Sequence, residues 1–66
     1  MEVVVSLMDV NKASNTIEDS PALSSLLEEN NLYSNRWYLK EGSEEKAIKE
    51  IEYYFTRFEI HYKIEE

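Results

Sequence analysis

The sequence contains no cysteine, one glycine, one proline and one histidine among its 66 residues. Without cysteine the chain forms neither a disulfide nor a thiolate metal site, so the fold depends on a small apolar core. A single glycine cannot build a glycine-rich phosphate loop, and His61 alone cannot supply the convergent ligands of a zinc centre. We therefore expect no metal site and no bound cofactor.

Positive charge is also scarce, because seven Lys and Arg residues stand against fourteen Asp and Glu residues for a formal charge of -7. Such a chain repels nucleic-acid backbones and anionic membranes at long range and favours basic partners. The apolar run within residues 1–10 is too short for a signal peptide or a membrane span, and Glu2 stands where a signal peptide carries basic residues. We expect a cytoplasmic protein without membrane association.

Apolar residues make up 42% and aromatic residues 12% of the chain, which is the composition of a folded globular domain. At this length we expect a single domain over residues 1–66. A domain this small buries only about 60% of the surface that its unfolded chain exposes. Contact with a partner, either another protein or a second copy, is therefore an expected source of stability.

The first half of the chain predicts a strand, a loop and a helix. Residues 2–8 form a β-branched apolar run that is typical of a strand. The segment 9–19 is polar and shows no clear periodicity, which predicts a long polar loop. Ser20 before Pro21 is a helix-start signal, and the leucines that follow predict a helix over 21–29.

The second half predicts a strand, a longer helix and a final strand. In residues 36–40, polar-ended and apolar side chains alternate and strong strand formers predominate, which predicts a strand. Ser43 is the candidate cap of an amphipathic helix that begins at Glu44. Residues 58–64 alternate as a strand, although an extension of the preceding helical stripe is the alternative. The predicted order is β-α-β-α-β, an α+β or small α/β domain in which two helices cover a three-stranded sheet.

Alternation along the predicted strands defines a candidate binding surface. If Trp37 and Leu39 point towards the helices, then Arg36, Tyr38 and Lys40 point the other way. The last strand adds the polar side chains of Glu59, His61 and Lys63 to this face. The first strand adds Val4, Ser6 and Met8. A mixed aromatic and basic surface of this kind suits partner contact, with an ordinary solvated sheet face as the alternative.

Two other features carry weaker functional hypotheses. Asp9 follows the first strand, where ligands enter open sheets, but aspartate also forms turns by bonding its own backbone. The acidic residues Glu44, Glu45 and Glu52 on the long helix are usually a solvated face, and they form a second candidate surface for a basic partner.

These observations favour a small acidic, non-enzymatic protein-binding domain that acts as an accessory subunit or inhibitor of a larger, basic protein. One version is a viral or mobile-element protein whose acids imitate a nucleic-acid backbone. The first alternative is a nucleic-acid-binding module that uses Arg36, Tyr38, Lys40 and Lys63, which the net charge opposes. The second is a small-ligand module at the Asp9 loop.

Overall fold

The computed structural model describes residues 1–66 as a four-stranded sheet with three helices against one of its faces. The strands are β1 (Glu2–Val5), β2 (Leu27–Glu29), β3 (Arg36–Leu39) and β4 (Tyr62–Glu65), and the helices are α1 (Val10–Asp19), α2 (Pro21–Leu26) and α3 (Glu44–Arg57). A 3-10 turn, Leu7–Asp9, joins β1 to α1. The sheet order is β2-β3-β1-β4, and each neighbouring pair is antiparallel. None of the helices has the length and apolar character needed to cross a bilayer.

The predicted mixed helix and strand class is confirmed, but its element count is wrong. The sheet has four strands rather than three, and three helices rather than two cover it. The segment 9–19, predicted as a long polar loop, is helical: Asp9 ends the 3-10 turn, and the rest of the segment forms α1. Val10, Ala13 and Ile17 follow helical spacing, but three apolar positions that include an alanine give only a weak helical pattern in the sequence. Ala13 and Ile17 are buried in the core.

The predicted helix 21–29 ends three residues early. Ser20 caps it as expected, since its Oγ accepts a hydrogen bond from the Leu23 amide at 3.3 Å. After Leu26 the chain becomes extended and forms β2, which pairs with β3 in the register Leu27 to Leu39. Burial of Leu27 in the sheet and the β3 hydrogen bonds outweigh the local helical preference.

Helix α3 begins at Glu44 as predicted, but Ser43 makes no side-chain capping bond. Instead the Glu44 carboxylate accepts a hydrogen bond from the Gly42 amide at 3.0 Å. Gly42 has a φ of 87°, a left-handed conformation that favours glycine in this turn.

The end of α3 settles the ambiguous segment 58–64. The amide of Ile60 donates to the Phe55 carbonyl at 2.8 Å, and the amide of Glu59 donates to the Thr56 carbonyl at 3.2 Å. These bonds form a Schellman motif in which Glu59 occupies the left-handed position with a φ of 57°. The helix therefore stops without a glycine, and the final strand starts at Tyr62 rather than at Phe58, which is 48% exposed and not part of the core.

The core lies between the helices and one face of the sheet. It contains Val3 and Val5 of β1, Trp37 and Leu39 of β3, and residues from all three helices, with Phe55 of α3 completely buried. Tyr62 of β4 packs edge to face on Phe55 with ring centroids 5.5 Å apart. The opposite face of the sheet has no helix against it, because all the buried strand residues share the helix side.

Candidate functional site: the open sheet face

The uncovered side of the sheet, called here the open face, is defined by strand register. Tyr38 lies opposite Glu28 of β2 and Glu2 of β1, and Glu2 lies opposite Glu65 of β4. Paired residues point to the same side of a sheet, so these four side chains form one row across it. The neighbouring row contains Arg36, Val4 and Lys63.

The two rows have different chemistry. The first row holds one tyrosine and three carboxylates, whereas the second holds two cations that flank Val4. Three acids against two bases leave the open face with a negative formal balance. Tyr38 is 45% exposed, while Trp37 and Leu39 on either side of it are buried in the core. The alternation predicted for this strand is therefore what the structure shows.

Ion pairs join the two rows. The Arg36 Nη1 atom lies 3.1 Å from Glu2 Oε1 and 3.0 Å from Glu65 Oε1, and Lys63 Nζ lies 3.1 Å from Glu65 Oε2. The amide nitrogen of Asn30 also donates to Glu2 Oε2 at 2.7 Å. Both cations of the face are thus bound by carboxylates of the face.

These pairs change the protonation behaviour of the face. Hydrogen bonds from Lys63 and then Arg36 hold the pKa of Glu65 below its usual value. Hydrogen bonds to Glu2 and then Glu65 raise the pKa of Arg36. Both shifts favour the ionised forms of Arg36 and Glu65. Tyr38 and Glu28 lie beside these residues and outside their ion pairs.

Comparisons with protein-family models, with curated proteins and with solved structures found no match. The candidate site therefore depends on geometry alone.

The other residues predicted for this face lie at its margins or away from it. Lys40 is exposed just beyond β3, where its amide bonds to the Leu26 carbonyl at 3.0 Å. Ser6 follows the end of β1, and Met8, predicted as part of the strand, is 93% exposed in the 3-10 turn. Of the residues predicted for this face, only Arg36, Tyr38, Lys63 and Val4 come together within the strand rows.

His61 belongs to a separate cluster at the end of the sheet. Its backbone amide donates to Asp9 Oδ2 at 2.9 Å, and its Nδ1 lies 3.0 Å from the same oxygen. These two hydrogen bonds lower the pKa of Asp9. Lys12 Nζ donates to the Phe58 carbonyl at 3.2 Å, so this bond links α1 to the end of α3.

This cluster changes the interpretation of the segment around Asp9. The Asp9 carboxylate, considered above as a ligand group, is held mainly by the backbone of the incoming final strand. Asp9 therefore joins two segments that are far apart along the chain. The sequence suggests instead a local turn in which the carboxylate bonds its own backbone. No group of three His, Asp or Glu side chains in the structure is arranged to hold a metal ion.

The predicted acidic surface of the long helix lies on the other side of the domain. Glu45 and Glu52 are exposed on α3, and the Glu44 carboxylate is engaged by the Gly42 amide. Burial and then the charge of Glu52 raise the pKa of Tyr62, whose side chain lies on the helix side of β4. The structure therefore separates the two predicted partner surfaces.

Sequence reasoning missed three carboxylates of the open face, Glu2, Glu28 and Glu65. Glu2 shares the alternation of Val4, so its side was readable from the predicted first strand. Glu28 was assigned to a helix, and Glu65 lay beyond the predicted last strand. Without the strand order, no local pattern indicates that all three lie in one row with Tyr38, with Glu28 and Glu2 on either side of it.

Proposed function

We propose that this chain is a small, non-enzymatic protein-binding domain, an accessory subunit or inhibitor, whose open face contacts a basic surface of a larger protein. The proposal is carried by one observation: an exposed tyrosine, Tyr38, stands in a row of three carboxylates on a sheet face without a helix. Tyrosine combines apolar area with a hydrogen-bonding hydroxyl at low entropic cost, and it is enriched in interfaces.

Charge favours a basic protein as the occupant of this face. Glu2 and Glu65 are balanced by Arg36 and Lys63, whereas Glu28 is exposed and takes part in no ion pair, so Glu28 gives the face its net negative charge. The whole chain adds to this field with a formal charge of -7. Complementary charge steers a partner to the face and sets its orientation more than it raises affinity.

The nucleic-acid alternative has less support from the same residues. A phosphate approaching Arg36 meets a guanidinium that Glu2 and Glu65 already bind at 3.1 and 3.0 Å. Lys63 is likewise paired with Glu65. Phosphate binding here would need these hydrogen bonds to break and would place anions beside three carboxylates.

The version in which the acids imitate a nucleic-acid backbone requires regularly spaced charges. The three carboxylates of the row lie on β2, β1 and β4. Tyr38 of β3 separates the first two, because β3 lies between β2 and β1 in the sheet. The spacing is uneven, and the tyrosine is better matched to an apolar contact. We therefore propose contact with a basic protein and do not propose that the acids imitate a nucleic-acid backbone.

The test is affinity purification with mass spectrometry from the cells that make the protein, using the wild type and two tyrosine variants. Tyr38→Ala should weaken capture of a basic protein by about thirtyfold, the effect of losing an interface anchor. Tyr53→Ala is the matched control, because Tyr53 is 57% exposed on α3 and lies away from the open face. It should leave capture unchanged.

Stability measurements separate binding from folding. Tyr38→Ala should change the free energy of unfolding by no more than about 0.5 kcal/mol, as for other exposed positions. Trp37→Ala, on the buried side of the same strand, should lower it by about 3 to 5 kcal/mol. Equal capture by wild type and Tyr38→Ala would reject the proposal, and a salt-sensitive mobility shift with nucleic acid would favour the alternative.

A further inference from the structure

Strand β4 forms one end of the sheet and pairs only with β1. The Ser6 amide donates to the His61 carbonyl at 2.9 Å, which makes those two residues a hydrogen-bonded pair. In an antiparallel ladder such pairs recur every second residue, so Lys63 and Glu65 direct their backbone groups towards β1. Tyr62 and Ile64 therefore present their amides and carbonyls along the free edge.

The two edges of the sheet differ in their protection against pairing. At the other end β2 is three residues long and carries Glu28 and Glu29. A second copy of β2 placed beside it would set carboxylate against carboxylate, which discourages edge pairing. The β4 edge instead alternates Lys63 and Glu65 on the open face with half-buried Tyr62 and Ile64 on the helix face.

We propose that two copies of this chain associate through antiparallel pairing of their β4 edges, with Ile64 opposite Ile64 at a twofold axis. In this register Lys63 of each copy lies opposite Glu65 of the other, on the open face. Ile64 occupies a hydrogen-bonded position, so the two central residues exchange both backbone hydrogen bonds. The occupant of the edge is thus a second copy, and its charges complement those of the first.

Charge selects this register over its neighbours. Moving the twofold axis one residue towards the amino terminus sets Lys63 against Lys63. Moving it one residue towards the carboxyl terminus sets Glu65 against Glu65. Like charges directly opposite each other on a sheet are destabilising, so only the register centred on Ile64 makes two favourable cross-strand pairs.

The pairing changes the size of the binding surface and the exposure of the core. It continues the sheet from one copy into the next and joins two open faces into one, with all helices on the same side. It also covers the half-buried side chain of Ile64. Because the edge is short, we expect a dissociation constant in the range of about 1 µM to 1 mM. Tyr38 lies two strands away, so the pairing does not depend on the proposed partner contact.

The test uses sedimentation analysis of two charge reversals, alone and mixed. Lys63→Glu alone opposes carboxylate to carboxylate in both cross-strand pairs, and Glu65→Lys alone opposes ammonium to ammonium. Each should weaken self-association by about tenfold or more. The equimolar mixture should recover association, because the edge of the first variant then carries two acids and faces two bases on the edge of the second.

A second measurement needs no variant, which matters because Glu65 also binds Arg36 within the monomer. Amide hydrogen exchange of the wild type at Tyr62 and Ile64 should slow as protein concentration rises. The Glu29 amide at the β2 edge is the matched control and should not change. A monomer without concentration-dependent protection up to about 1 mM, or a mixture of the folded charge variants that stays monomeric, overturns the proposal.

Discussion

The most quantitative prediction concerns the left-handed residue that ends α3. Glu59 has a φ of 57°, and its carboxylate makes no hydrogen bond or ion pair, although its backbone completes the Schellman motif. For a residue with a Cβ atom this conformation costs about 1 to 2 kcal/mol, whereas glycine adopts it without that penalty. Glu59→Gly should therefore stabilise the native state.

The unfolded chain offsets part of this gain. Glycine adds conformational freedom to the unfolded state, which lowers stability by about 0.4 to 1 kcal/mol. Taken at the middle of each range, the expected net increase in the free energy of unfolding is about 0.5 to 1 kcal/mol. For a domain of this size it corresponds to a rise in Tm of about 2 to 8 °C.

Thermal and urea unfolding of three proteins test this reasoning. Glu59→Ala is the control, because it removes the same carboxylate but keeps the Cβ atom and the strain. It should match the wild type, while Glu59→Gly should exceed both. If the glycine and alanine variants have the same stability, the left-handed backbone is not the source of strain and the described end of α3 is wrong.

Three further predictions probe the core, the turn before α3 and the acid side of the pH range. Phe55→Ala should cost about 3 to 5 kcal/mol in urea unfolding, because the ring is completely buried; an unchanged midpoint would contradict the described core. Gly42→Ala should cost about 1 kcal/mol from the backbone alone, since an added Cβ meets no atom within 4 Å; Gly42→Asn should cost less. Hydrogen bonds from His61 lower the pKa of Asp9, so the unfolded state takes up more protons and stability should fall as pH decreases below about 4. Asp9→Asn should make this loss shallower, and an identical pH profile would refute the role of Asp9.

Local patterns were sufficient where one segment carries its own signal. The apolar β-branched run after Glu2 predicts a strand, although the strand ends at Val5 rather than at residue 8 because residues 7–9 form the 3-10 turn. Ser20 before Pro21 predicts a cap, and the three- and four-residue spacing up to Phe55 predicts α3. Alternation also places Tyr38 on the open side of its strand. In each case the cause lies within a few neighbouring residues, because capping, helical periodicity and strand alternation are short-range effects.

Only the tertiary structure determined the features that depend on distant segments. Residues 10–19 are helical because Ala13 and Ile17 find a core to pack against, although their own stripe is small. Leu27 leaves the helix because β3 offers hydrogen bonds and burial. The order β2-β3-β1-β4 brings Glu2, Glu28 and Glu65 into one row with Tyr38, although they are separated along the chain. Strand order and register arise from non-local pairing energies, and no periodicity within one segment encodes them.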